Sequence, residues 1–308
     1  MTVLRTLAPA KVNLGLFVGP VRDLDGRHEL VSVMQSITLA DELALELDAG
    51  GGEGPDEVIC PGLPGPAEDN LAARALACFR EASGWRGPRL RLRVDKRIPL
   101  AAGLAGGSAD AAAALRLAAR ASGVEDPGLM HELASGLGAD VAAQLRPGRW
   151  LATGAGERLE PLPPPGAGLG LLLLPFAEGL ETARVYREAD RLSAGRTLAE
   201  LERLRSVVRA ALAGGEPLPG DDRLLDNDLQ AASVSLCGAI RGALAEVLAA
   251  GAAHAFVSGS GPTVVGLFPG PGGAAALGRA ERALGSRRPQ VIACTPAGER
   301  AGAIFEQL

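Results

Sequence analysis

Chemistry in this chain of 308 residues starts from one stretch, Pro99-Leu100-Ala101-Ala102-Gly103-Leu104-Ala105-Gly106-Gly107-Ser108-Ala109, followed by an alanine-rich run to Arg120. Gly103, Gly106 and Gly107 have no Cβ, so their amides can approach an anion closely and their φ can turn positive. The run behind them reads as a helix. Its first N–H groups are unpaired and the N-terminal end of its dipole favours negative charge. Ser108 reads as the cap. A glycine loop feeding a helix N-terminus is one way to hold a phosphate. No Gly-Lys-Ser/Thr closes this loop and its glycines do not follow G-x-G-x-x-G, so it is neither a Walker A loop nor a dinucleotide fingerprint. Taken alone, it fits a plain connector equally well.

Phosphoryl transfer also needs cationic neutralisation and a group that orients or deprotonates the attacking hydroxyl. Only two of the 31 basic residues are lysines, Lys11 and Lys96. Where arginine serves everywhere else, a retained lysine points to a site that needs a compact ammonium instead of a planar fork. Lys11 lies two residues from Asn13, and Lys96 borders the glycine loop. Asp140 interrupts an apolar segment, 139–143; it reads either as a general base for an alcohol, in contact with Lys11, or as the N-cap of a short helix. His28 follows an Asp25-Gly26 turn and is either a structural hydrogen-bond partner or a site residue, whereas His131 and His254 read as structural. Gly259-Ser260-Gly261 is a second glycine turn, a hairpin or a second backbone clamp on an anion. No spacing suits a metal ligand set, so no metal-ligating residue is assigned.

The elements that must position these residues follow from periodicity. Residues 9–18 alternate as a strand, with Lys11 and Asn13 on one face and Val12 and Leu14 on the other. Asp25-Gly26 predicts a hairpin turn, leading into strands over 28–39 and 42–47. Residues 49–67 read as surface loop around a short strand near Val58. Asp69 reads as the cap of a helix over 70–82, with Leu71, Ala75, Leu76 and Phe79 facing inward. A strand over 89–95, a helix over 108–121 and a helix opening at Pro127 and ending near 136–138 come next. The Pro/Gly-rich stretch 159–170 is the predicted domain boundary. Beyond it come a strand over 171–174 and helices over 181–192, 197–213 and 224–250. Strand, glycine turn and strand follow around 255–268, then a helix over 272–285 and a strand over 290–294. That order suggests a split βαβ sandwich. No internal repeat is found.

The composition is globular, 47% hydrophobic and 22% charged, and long enough for two domains with real cores. A net charge of −5 argues against a basic face for nucleic acid or an anionic membrane, so any nucleotide must be held by a local site. The longest apolar run, around 168–176, is too short to span a bilayer and reads as a buried strand. The first residues lack a basic head followed by an apolar core, so no secretory signal is expected. Cys60, Cys78, Cys237 and Cys294 are scattered, which suits free thiols in a reducing, cytoplasmic setting.

Three stretches, Pro9-Ala-Lys-Val-Asn-Leu, Pro99 to Asp110, and Ser258-Gly-Ser-Gly-Pro-Thr, together resemble the three motifs of the GHMP small-molecule kinases in order and spacing. Asp25-Gly-Arg-His-Glu-Leu, Glu68-Asp-Asn-Leu and Gly138-Ala-Asp-Val further resemble one branch of that superfamily. This branch acts on 4-diphosphocytidyl-2-C-methyl-D-erythritol, a cytidine-diphosphate-linked sugar alcohol of the non-mevalonate (methylerythritol phosphate) isoprenoid pathway. The resemblance implies an α+β fold of two domains. Residues 1–160 would form a ribosomal-protein-S5-domain-2-like α/β sandwich that binds nucleotide and carries catalysis. Residues 161–308 would form a ferredoxin-like split βαβ domain for substrate.

The resemblance also implies transfer of the γ-phosphoryl group of ATP, accompanied by Mg²⁺, to the substrate's 2-hydroxyl. Lys11 and Asp140 would be the catalytic pair, with Asp140 as base. Pro99 to Ala109 would wrap the ATP phosphates, with Asn70 and Lys96 near the adenine. His28 would read the cytosine edge, Tyr186 would stack on the ring, and Asn13, Thr182, Gly259 and Ser260 would help hold the substrate. Arg27 stands where an aromatic usually closes the other face of the cytosine, and a guanidinium plane can also stack on a base. Ala109 stands where a second serine is common, and Ala142 where proline is usual. The expected partner is a small molecule, not nucleic acid or membrane, with the chain a monomer or weak homodimer. Two other readings remain open: a homoserine- or mevalonate-type kinase, or a non-catalytic nucleotide or metabolite sensor on the same scaffold.

Overall fold

The structure is a computed structural model that describes residues 3–47, 55–63, 69–193 and 195–307. Its frame is a long antiparallel hairpin of β1 (Val3–Val21) and β2 (His28–Leu47), joined by a turn in which Gly26 takes φ +71°. Both strands exceed the ranges that alternation predicts, and 28–39 and 42–47 are one strand. The register shifts between Pro9 and Lys11, Asn13 and Gly15, and Val18 and Val21. Each shift breaks the period of two, so the pattern stops before the strand does.

The two ends of β2 take different partners. Residues 30–35 pair with β5 (Arg149–Gly154) and residues 42–47 with β4 (Leu90–Asp95), so the sheet forks. The edges are β3 (Glu57–Ile59) on β4, β6 (Arg158–Leu162) on β5, and β11 (Ile304–Gln307) on β1. β3 holds the expected strand near Val58, while residues 49–54 and 64–67 of the expected loop lie outside the described residues. β6 occupies the start of the stretch read as a Pro/Gly boundary; Pro161 is tolerated because the strand lies at an edge. Residues 304–307, placed in the second half by the sequence division, pair with β1.

The helices that follow need two corrections at their caps. Helix α1 (Leu71–Ser83) is capped by Asn70, not Asp69: Asn70 is the last residue with extended dihedrals, and its side chain accepts from Ala72 N at 2.9 Å. Helix α2 (Gly106–Ser122) begins two residues before Ser108, so that serine lies in the first turn and Ala105 is the cap position. The buried alanines of α2, among them Ala109 and Ala111 to Ala114, let it pack closely on β1, β2 and α1. Helix α3 (Pro127–Leu137), capped by Asp126, ends at Gly138, and α4 (Ala139–Gln144) packs on α2 and α3.

The second sheet has the order β10-β7-β9-β8, antiparallel throughout. It comprises β7 (Leu169–Leu174), β8 (His254–Val257), β9 (Val264–Pro269) and β10 (Ile292–Cys294). Helices α5 (Thr182–Arg191), α6 (Leu198–Ala211), α7 (Gln230–Leu236) and α8 (Ala239–Ala249) lie between β7 and β8, and α9 (Gly273–Gly285) between β9 and β10. This is the split βαβ order. The single helix expected over 224–250 is instead a short 3₁₀ turn, Asp222–Leu225, then α7 and α8. The Asn227 side chain explains the first break, because it donates to the carbonyls of Val257 and Gly259 and accepts from Leu229 N. The four cysteines are free, and among the described residues no helix is long and apolar enough to cross a membrane.

Removing the cap at Asn70 tests the corrected boundary. Asn70→Ala should cost about 1 kcal/mol in urea unfolding, whereas Asp69→Ala should leave stability nearly unchanged. The reverse ranking would restore Asp69 as the cap.

Candidate active site

The cavity of about 570 Å³ between the glycine loop, β1, β2 and the second sheet's turn gathers most of the residues singled out from the sequence. β1 delivers Lys11 and Asn13 to its wall. Lys11 is 8% exposed, and its Nζ donates to Asn13 Oδ1 at 2.7 Å and lies 3.5 Å from Asp140 Oδ1. Asn13 is fixed in turn by donating through Nδ2 to Ser32 Oγ at 2.7 Å, and Ser32 donates to the Gly15 carbonyl. Asp140 enters on the first turn of α4 and keeps about a third of its side chain exposed, so it can meet a ligand. Asp140 is not the N-cap of its short helix, because Gly138 holds that position; the expected proximity to Lys11 is present, with the carboxylate 3.5 Å from the ammonium.

The loop between β4 and α2 closes the cavity. Ala101, Gly103 and Ala105 all have positive φ, at 50°, 75° and 55°. Left-handed residues at every second position curl the backbone into the concave amide array that suits anions, and two of them are alanines, each strained by roughly 1–2 kcal/mol. Such strain persists where surrounding contacts over-determine the loop. Here Lys11 N donates to the Leu104 carbonyl at 3.1 Å and Ser258 Oγ to the Gly103 carbonyl at 3.2 Å. A Cβ on Gly103 would lie 2.6 Å from the Ser258 carbonyl oxygen, so the two glycine turns fit back to back only with glycine there. Gly259 and Ser260 line the cavity, and Ser260 Oγ lies 3.0 Å from Thr182 Oγ1.

Lys96 occupies a second compact ammonium site. Its Nζ donates to Asp110 Oδ2 at 2.7 Å and to Asp41 Oδ2. Asp41 also accepts from the main-chain N–H groups of Arg97 and Ile98, while Asp110 Oδ1 is buried without a hydrogen-bond partner among the described residues. Asp110 is therefore the carboxyl that takes the proton. Burial pushes it up to about 7, against the pull of Lys96 and with the neighbouring Asp41 adding to the rise. Burial alone would lower the Lys96 ammonium, but its interactions with Asp110 and Asp41 outweigh that and hold it above its ordinary value. Neither acid was singled out from the sequence, although Asp110 closes the quoted loop motif.

Pro99 to Ser108, Thr182 and Tyr186 line the cavity; Asn70, Ala109, Arg27 and His28 do not. Asn70 caps α1 beside the lining residue Leu71, and Ala109 is buried in α2. The Tyr186 ring forms part of the wall, with the His28 ring behind it at 5.1 Å between centroids. Burial, with Asp140 nearby, pushes the Tyr186 hydroxyl up to about 12, so it stays protonated. His28 Nδ1 donates to the Gly19 carbonyl at 2.9 Å and its Nε2 lies 3.4 Å from Asp190 Oδ1. Arg27, half exposed, donates to Asp25 at 2.7 Å and lies 4.0 Å from Glu157. Sequence reasoning missed Ser32, Asn227 and Gln144 as supports; only Asn227 carried a signal, as one of three asparagines.

The Asp110 proton has a measurable consequence. The native state keeps a proton that the unfolded chain releases between about pH 4 and 7, so stability falls as pH rises through that window. Lys96 stays protonated across it and adds no slope. Asp110→Asn should flatten the decline between about pH 4 and 7 in urea unfolding; parallel curves for the two proteins would contradict the assignment.

The GHMP kinases N-terminal domain matches residues 70–148 and the GHMP kinases C-terminal domain residues 198–286. The 4-diphosphocytidyl-2-C-methyl-D-erythritol kinase of Anaeromyxobacter dehalogenans strain 2CP-C is 43% identical over 91% of this chain and 86% of its own length. That of Thermobifida fusca is 41% identical over 94% of each. A crystal structure of 4-(cytidine 5'-diphospho)-2C-methyl-D-erythritol kinase superposes with TM-score 0.74 at 34% identity, covering 96% of this chain and 99% of that one. A homoserine kinase from Cytophaga hutchinsonii shares the fold at 19% identity, with TM-score 0.73 over 99% of this chain and 97% of the other. With both domains matched and relatives above 40% identity over nearly its whole length, this chain belongs to the GHMP kinase family.

Proposed function

We propose that the chain transfers the γ-phosphoryl group of ATP to the 2-hydroxyl of 4-diphosphocytidyl-2-C-methyl-D-erythritol. The observation that carries this reading is the buried Lys11 ammonium 3.5 Å from the partly exposed Asp140 carboxylate, on the wall of the cavity that the glycine loop closes. The substrate follows from the 4-diphosphocytidyl-2-C-methyl-D-erythritol kinases to which the chain is similar over nearly its full length.

In the proposed reaction the substrate oxygen forms a bond to the γ-phosphorus, the bond from that phosphorus to the bridging oxygen breaks, and ADP leaves. The hydroxyl proton passes to Asp140. Lys11, held by Asn13, stabilises the negative charge that gathers between carboxylate and phosphoryl group. Positioning and electrostatics supply most of the acceleration in such transfers. The positive-φ loop and the first turn of α2 present amides to the phosphates. That cradle fits a polyphosphate, since Gly107 lines the cavity at the head of α2 with no side chain, in a place where a Cβ would meet only Leu71 Cδ1, at 3.7 Å. Mg²⁺ takes most of its ligands from phosphate and water and neutralises phosphate charge when bound; Ser108 and Asp140 are the oxygen donors of this cavity that suit it.

In the same reading Tyr186 offers its face to the cytosine and His28 backs that ring. Thr182, Ser260 and Gly259 contact the acceptor. Lys96 with its two carboxylates, and Asn70 at the head of α1, border the adenine. Arg27 stands at the rim, where its bond to Asp25 leaves the guanidinium plane half exposed. In this reading residues 1–160 and 161–308 are the two working halves, with residues 304–307 returning to pair with β1, in a cytoplasmic monomer or weak dimer.

Asp140→Asn should lower kcat by about 10² to 10⁴-fold, the range of a lost general base, while ATP binding by calorimetry stays within a few fold. Near-normal turnover would remove Asp140 from the chemistry. A cytidine diphosphate fragment should compete with the acceptor and not with ATP; no competition would turn the reading toward another acceptor of the GHMP type.

A further inference from the structure

Below the catalytic pair lies a buried cation that no carboxylate partners among the described residues. Arg116, on α2, donates from Nη1 to the Gln144 carbonyl at 2.8 Å and from Nη2 to the Leu7 carbonyl at 2.9 Å, and among the described residues its buried Nε has no hydrogen-bond partner. Burial lowers this guanidinium only to about 10, so it stays charged at neutral pH. On its far side a Cβ at Gly302 would come within 3.2 Å of the guanidinium carbon.

The two carbonyls are not arbitrary. Leu7 is four residues before Lys11 on β1, and Gln144 is four residues after Asp140, at the end of α4. A helix end presents unpaired carbonyls and the negative end of its dipole, which suits a cation. Gln144 extends the unit, because its Nε2 donates to the Ala105 carbonyl at 3.3 Å, at the strained head of α2. One guanidinium thus bridges the strand that carries Lys11 and the helix that carries Asp140, and through Gln144 it reaches the loop.

We infer that Arg116 is a positioning residue, which sets the separation of Lys11 and Asp140 by tying their two backbones to one rigid fork. Stability does not account for it. A buried charge without an opposite charge is costly, and an apolar side chain of similar size would serve packing as well or better. Lysine, with a single ammonium, lacks the fixed geometry that spans two carbonyls. The kinetic part of the inference rests on the proposed function; the geometric part does not.

The test uses the full chain with Arg116→Met, Arg116→Lys and Arg116→Ala, each checked for folding by thermal melting. Both Arg116→Met and Arg116→Lys should lose about tenfold to a hundredfold in kcat, the cost of a displacement near 1 Å, with KM for ATP and acceptor changed less than about threefold. Free guanidinium should restore activity to Arg116→Ala. Wild-type kcat in folded Arg116→Met, or a loss that only follows the folded fraction and resists guanidinium, would overturn the inference. If the wild-type chain phosphorylates no cytidylylated acceptor, the functional reading fails instead. The positioning claim is then read from a crystal structure of Arg116→Met: a Lys11 Nζ to Asp140 Oδ1 separation clearly beyond 3.5 Å supports it, and an unchanged one sinks it.

Discussion

Burying the Lys11 ammonium is the constraint on which the rest of the site depends. Burying a cation to 8% exposure is costly unless it is paired and hydrogen-bonded. Its partners, Asn13 and Asp140, come from β1 and α4, and both need support of their own. Asn13 is held through Ser32 to the Gly15 carbonyl, and its main-chain N–H reaches Ser258 at 3.4 Å. The long hairpin, the short helix after Gly138 and the second sheet's glycine turn therefore converge on one charge. The bulges in β1 serve the same end, because they re-aim side chains within a continuous strand.

The two lysines divide the cavity. Lys11 stands beside an open carboxylate, so its charge is available to a reacting group. Lys96 stands between two buried acids, so its charge is spent within the protein, where it joins β2, the segment before the loop and the first turns of α2. Both positions are crowded and three-dimensional, which suits an ammonium with three free donors and not a planar fork. Arg116 is the complementary case: two carbonyls spaced for a fork, and an arginine there.

Most of the residues that meet in the cavity were legible in the sequence, because their types and local spacing stand out. The glycines of the loop, the two lysines and Asp140 in an alanine segment are visible without a fold. The elements were legible where periodicity was clean, as in α1, β4 and β7, and less so where bulges broke it, as in β1 and β2. Short edge strands left no pattern: β11 pairs with β1 from the opposite end of the chain, and β6, although it pairs with the adjacent β5, carries Pro161 in a stretch that reads as a loop. Caps misled by one or two residues because Asp69 and Asn70 are both good caps, and only dihedrals choose between them. The supports contributed by Ser32, Gln144 and Arg116 were illegible, since each acts through contacts across the sequence, and Asn227 was marked only by the scarcity of asparagine. At the acceptor end, single residues gave no hint that His28 would back Tyr186 or that Arg27 would bond to Asp25.

The most direct measurement is the position of the new phosphate. With ATP, Mg²⁺ and 4-diphosphocytidyl-2-C-methyl-D-erythritol, phosphorus and carbon magnetic resonance of the product should show one phosphoryl group on the 2-oxygen. ADP should form in equal amount, and none should form when the uncytidylylated sugar alcohol phosphate replaces the acceptor. Phosphate on another hydroxyl, or ADP release that ignores the acceptor, would contradict a base at Asp140 acting on an acceptor held by its cytidine end.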